Sequence, residues 1–179
     1  MAPQDVHVTS VLLWQGAAFL ALLDAVLLSL LAHRVAAATF RDLQRTVLTL
    51  TAIFWFCLWL GVASIVYWDR VYSYVFPAWS RWLLPAAQAV LTTGVAALAF
   101  ALAQRLPGRA VVVYCLLGGV WGSVSHVWAV FRGIVDRVPM LRGASPVAAV
   151  AIAFFEFTLY FCVIVAGSLL VRLLQQRRR

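Results

Sequence analysis

The sequence has no lysine: all 14 of its cations are arginine, set against 6 acidic residues and 3 histidines in 179 positions. Without a lysine amine there is no Schiff base to retinal or pyridoxal phosphate, and no Walker-type phosphate loop. Three histidines are too few for the histidine-rich iron sites of membrane hydroxylases. The cysteines Cys57, Cys115 and Cys162 stand singly in apolar runs with no C-x-x-C, so neither a thiol redox pair nor a zinc site has its spacing. They read as small buried hydrophobes. With 10 glycines, 6 prolines and no low-complexity tract, the chain is not a disordered one. No repeat recurs at a 20–50-residue period and no polar linker divides the chain, so residues 1–179 read as one transmembrane domain.

What is present is apolar. Hydrophobic residues make up 65% and charged residues 11%, with a mean hydropathy of +0.96, whereas soluble domains run at roughly 45–50% and about 25%. A soluble fold of this size buries only about 70% of its unfolded surface and would leave large apolar patches in water. The bilayer is therefore the expected solvent, with about 20 apolar residues needed per crossing. Five runs meet that length, at about 11–31, 47–67, 83–103, 110–130 and 146–171. The fold class that follows is an all-α integral membrane protein, a five-helix transmembrane bundle. The first run is too long for the apolar segment of a secretory signal and lacks a basic stretch before it, so it is expected to remain as a span.

Arginine placement orients the bundle, because short cytoplasmic loops retain basic residues during insertion. Arg34, Arg41, Arg45, Arg105, Arg109, Arg172, Arg177, Arg178 and Arg179 fall on one side; Arg70, Arg81, Arg132, Arg137 and Arg142 fall on the other, offset by Asp5, Asp69 and Asp136. The N-terminus is expected outside and the C-terminus in the cytoplasm, in a bacterial-type inner (plasma) membrane. Arginines sorted between spans account for the +8 net charge without a nucleic-acid surface, which needs them on one face. The expected partners are the lipid bilayer and, since five spans are few for a stand-alone transporter, further copies of the chain or partner membrane subunits.

Tyr67, Trp68, Tyr72, Tyr74, Trp79 and Trp82 cluster between spans two and three as an aromatic belt does. The segment Asp69 to Arg81 is expected to lie along the outer interface, interrupted by Pro77, with Pro85 in the first turn of the next helix. Between spans four and five, residues 131–146 mix arginines, glycines and prolines with apolar residues and read as a structured outer loop. Arg132, Arg137 and Arg142, joined by Arg70 and Arg81, are candidates to hold a phosphate or carboxylate headgroup bidentately; the plainer reading is a folded surface loop. Gly118, Gly122, Ser125, Ala129 and Gly133 share a face of span four, which suits close helix approach in lipid and places that span centrally. Ala86, Val90, Gly94, Ala97 and Ala101 make a similar face on span three.

The informative residues are polar groups inside the apolar spans. Counting helical rise from the outer ends, Asp24 lies ~20 Å and Glu156 ~16 Å deep, which predicts a common level near the midplane. A charged acid there costs on the order of 3 kcal/mol, so each is expected to face inward, to be protonated or to meet a cation. Glu156 has Tyr160 one turn on, within hydrogen-bonding reach. His126, beside Ser123 and Ser125, and Gln88 lie nearer the outer end and are expected to form the mouth of a polar path whose floor is Asp24 and Glu156. A lone histidine is equally a packing residue. Haem between His126 and His7, or a metal held by His126 with Asp24 or Glu156, are the cofactor alternatives, and the residues specify neither. The leading functional expectation is a small transporter or a proton- or cation-coupling membrane component. The alternatives are an outer-leaflet enzyme acting on a lipid or polyprenyl headgroup, with His126, Asp136 or Asp69 for acid–base work, and a non-catalytic subunit of a larger membrane complex.

Overall fold

In lipid every backbone N–H and C=O must be paired within the segment, so apolar runs of this length fold as helices. A computed structural model describes residues 3–134, 137 and 144–177, with the backbone alone at 3–11 and 107. Its described residues contain no strand. α1 runs Pro3–Arg34, α2 Ala37–Asp42, α3 Gln44–Trp59, α4 Leu84–Ala103, α5 Ala110–Phe131 and α6 Pro146–Arg177. Five helices, α1 and α3 to α6, are long and apolar enough to cross a membrane. The helices at both ends of the chain are longer than the apolar runs alone indicate, each reaching 32 residues.

The helix ends sort into two layers. One end gathers Arg34, α2, Arg45, Arg105, Arg109 and the last turns of α6, where Arg172 reaches Asp42 at 3.2 Å. The opposite end is rich in aromatics. There α3 continues into a seven-residue π-helical stretch, Leu60–Val66, and the chain returns through two short 3₁₀ turns, Tyr72–Tyr74 and Ala78–Arg81, separated by Pro77. A π-helical stretch widens the helix by one residue per turn and occurs often beside functional sites. This one is tied down by a reciprocal pair: Ser64 Oγ donates to the Arg81 carbonyl oxygen at 2.5 Å, and Arg81 Nε donates to the Ser64 carbonyl oxygen at 2.8 Å. Trp68 and Val71 are buried beneath the returning chain, while Tyr74, Trp79 and Trp82 point outward.

α5 and α6 share the most extensive interface, α1 packs on α6 and α5, and α3 bridges α4 and α6. The closeness of α5 to α6 follows from glycine. A Cβ at Gly122 would stand 2.6 Å from the Ala153 carbonyl oxygen, and one at Gly119 2.8 Å from that of Phe154. At Gly118 the ring of Phe161 fills the space. The expected small-residue face is therefore used at Gly118 and Gly122, with Gly119 as an addition. Gly133 has another role: with φ 65° it ends α5, the Gly133 and Ile134 amides donating to the Val130 and Ala129 carbonyls, a left-handed cap that glycine adopts without strain. The small-residue face expected on span three faces outward. Ala86, Val90, Gly94 and Ala101 are exposed, and α4 buries Ala89, Thr92, Ala96, Ala99, Phe100 and Ala103 instead.

Candidate functional site

Among the described residues, two cavities in the aromatic half of the bundle border His126. The larger, about 640 Å³, lies between α1, α3, α5 and α6 and holds Glu156, Tyr160, His126 and Tyr67 among apolar walls that include Leu20 and Trp55. The smaller, about 420 Å³, lies between α4 and α5 and holds Gln88, Ser125 and His126. Trp59, Tyr72, His126 and Phe157 line both, so they form the partition.

His126 is fixed by its own helix. The Gly122 carbonyl oxygen lies 3.1 Å from Nδ1; a carbonyl only accepts, so Nδ1 carries the proton, and in the neutral ring Nε2 is then the acceptor. The Ser125 hydroxyl donates to the same carbonyl at 2.8 Å, and Phe157 meets the imidazole edge-to-face with centroids 5.8 Å apart. Among the described residues Nε2 makes no hydrogen bond. The Tyr160 hydroxyl donates to Glu156 Oε1 from one turn along α6, and the Tyr160 ring is packed between Phe54 and Trp55. Tyr72, in the returning segment, has its phenol pushed up to about 12 by burial and then by the neighbouring Tyr67, so it enters the partition as a neutral hydroxyl.

Asp24 does not line the larger cavity with Glu156. Leu20 is the α1 side chain that reaches the Glu156 cavity; Asp24 lies one turn further toward the arginine-rich end. There it is 3% exposed, and neither carboxyl oxygen has a partner among the described residues. Asp24 thus stands outside the cavity that His126 and Glu156 share. Among the described residues no three of His, Cys, Asp and Glu gather as a metal-binding group, so His126, Asp24 and Glu156 are not brought together as one ligand set.

Among the described residues, three arginines at the aromatic end each lie over a different ring. The Arg137 guanidinium lies 4.0 Å over the Tyr74 ring, Arg132 is 5.8 Å over Trp128, and Arg81 is 5.1 Å over Trp82. Each cation rests on its own aromatic face. Asp69 and Arg70 are exposed; Asp136 and Arg142 lie outside the described residues, as does the side chain of His7. The residues that sequence reasoning missed are the walls: Trp55, Trp59, Tyr72 and Phe157 shape the cavities, and no sequence signal sets them apart from other membrane aromatics.

Fold and site together define a multi-pass, all-helical integral membrane protein with ionisable groups in its interior. No protein-family model, curated protein or solved structure matches the chain.

Proposed function

We propose that this chain is a small transporter or coupling component that moves a proton or small cation through the larger cavity. The observation that carries the reading is an intramembrane carboxyl, Glu156, hydrogen-bonded by Tyr160 in a cavity it shares with the free Nε2 of His126. Ionisable groups at membrane depth are costly and mark ion and proton paths. In this reading His126, on the partition between the cavities, receives the ion from the aromatic end, with Gln88 on the side of the smaller cavity; Glu156 binds it, and Asp24 is the next station toward the arginine-rich end. Tyr160 is a positioning residue that holds the Glu156 carboxyl toward the cavity. The aromatic end is then outside and the arginine-rich end cytoplasmic, in an inner (plasma) membrane, as basic loops favour. Assembly with further copies or partner subunits belongs to the same proposal.

Proteoliposomes loaded with a pH-sensitive dye and driven by a potassium diffusion potential test it. The wild-type chain is expected to carry dissipating flux, and Glu156→Gln or Asp24→Asn to slow it at least tenfold, with Tyr160→Phe intermediate. Wild-type flux in both acid variants overturns the proposal.

A further inference from the structure

The smaller cavity shares the partition of Trp59, Tyr72, His126 and Phe157 with the Glu156 cavity and adds Gln88 and Ser125. At about 420 Å³ it falls in the size range of small-molecule sites, which are mostly apolar with a few convergent polar groups. Its mouth includes Leu91, Val124 and Trp128, all well exposed on helix faces that meet lipid. A ligand thus reaches it sideways from the hydrocarbon, and must be lipid-soluble. The wall is a run of flat side chains, Trp59 to Tyr72 at 5.6 Å, Tyr72 to Phe76 at 6.4 Å and Phe76 to Trp128 at 6.2 Å between centroids. Such a wall suits an offset-stacked ring better than a flexible acyl chain.

The polar groups are complementary in kind. The Gln88 carboxamide has no hydrogen-bond partner among the described residues and offers N–H donors and a carbonyl acceptor. His126 Nε2 is an acceptor, because Nδ1 is committed to the Gly122 carbonyl. Ser125 Oγ, having donated to that same carbonyl, retains an acceptor lone pair. A ring oxygen that accepts from Gln88, with a ring hydroxyl that donates to His126, satisfies both sides. We propose that this cavity binds a lipid-soluble oxygenated aromatic ring of the quinone or quinol type, its ring on the aromatic wall and its oxygens on Gln88 and His126. The proposal concerns binding and includes no electron transfer.

A decyl-substituted benzoquinone and its quinol are the probes, titrated by calorimetry against the full chain in lipid nanodiscs, with decylbenzene as the oxygen-free control. Saturable binding of the quinone or quinol is expected, at least tenfold tighter than decylbenzene, together with a rise in the thermal unfolding midpoint of the wild-type chain that needs no variant. Gln88→Leu and His126→Leu are each expected to weaken binding about tenfold, the scale of one good hydrogen bond in an apolar site. Glu156→Gln, whose side chain lies in the other cavity, is expected to bind the probe as the wild type does, so loss of flux and loss of binding separate. Equal affinity for decylbenzene, absence of saturable binding, or wild-type affinity in Gln88→Leu overturns the proposal.

Discussion

The two halves of α5 meet the same partner helix in opposite ways. From Gly118 to Gly122 there is no room for a single added carbon, because α6 presents Phe161, Phe154 and the Ala153 backbone directly against the glycines. One turn further on, Ser125 and His126 border cavities on both sides of the Phe157 ring. Lipid offers helices no hydrophobic drive to associate, so close van der Waals contact must hold them. The glycine half supplies that contact, and the aromatic half, propped open by rings too bulky to close over, is left free to hold polar groups. Stability and candidate function thus occupy successive turns of one helix.

The most direct way to break the contrast is to put a methyl into the closed half. Gly122→Ala and Gly119→Ala each press a Cβ on α6 backbone oxygens that cannot rotate away, and overpacking of this kind costs about 2 kcal/mol or more. The two act on one interface, so the double variant is expected to cost less than the sum. Gly94→Ala is the matched control: a Cβ there meets nothing within 4 Å, and the change is expected to be neutral or to stabilise by up to about 1 kcal/mol through helix propensity. Unfolding in mixed detergent micelles reads all four. Equal midpoints for Gly122→Ala and Gly94→Ala would show that the glycine contact is not what joins α5 to α6.

The same contrast explains what the sequence made legible. The spans were readable because the need for about 20 apolar residues is a property of the bilayer, and Gly118 with Gly122 were readable from helical spacing. Polar residues in apolar runs announced Gln88, Asp24, His126 and Glu156, because each carries a cost that packing alone does not require. The burying face of α4 was not readable: a span is apolar on its lipid side as well as its protein side, so the stripe Ala86, Val90, Gly94 and Ala101 resembles a packing face while pointing outward. The π-helical stretch was hidden as well, since Leu60–Val66 contains no proline and reads as ordinary helix. It is tied to Arg81, 17 residues beyond Ser64.

That tie sets a smaller effect, on the open half. Arg81→Ala removes a charge-assisted hydrogen bond and the stacking over Trp82, for an expected loss of about 1.5–2 kcal/mol. Arg81→Lys is expected to restore little, because an ammonium lacks the Nε–H geometry and the planar stack. Ser64→Ala removes the reciprocal donor and is expected to cost about 1 kcal/mol. If the pair holds the π-helical register, Arg81→Ala also shifts Trp59 and Val62 at the cavity wall and changes tryptophan fluorescence; loss of stability with an unchanged spectrum would confine Arg81 to a local tie.

The smallest effect belongs to the arginine-rich end. Arg172 Nη2 meets Asp42 Oδ2 at 3.2 Å, yet the side chains are 33% and 62% exposed, so water and salt screen the pair and it is expected to contribute under about 1 kcal/mol. Asp42→Asn should lower the unfolding midpoint slightly at low ionic strength and not at all at high. Arg172→Ala should cost somewhat more, since its other Nη donates to the Thr39 carbonyl oxygen at 3.4 Å and so ties α6 to α2 independently of charge. A salt-insensitive loss in Asp42→Asn as large as that of Gly122→Ala would mean that this end is closed by electrostatics rather than by the aromatic packing of Phe40 on Phe100, 4.4 Å apart, and of Tyr114 on Phe161 beneath it.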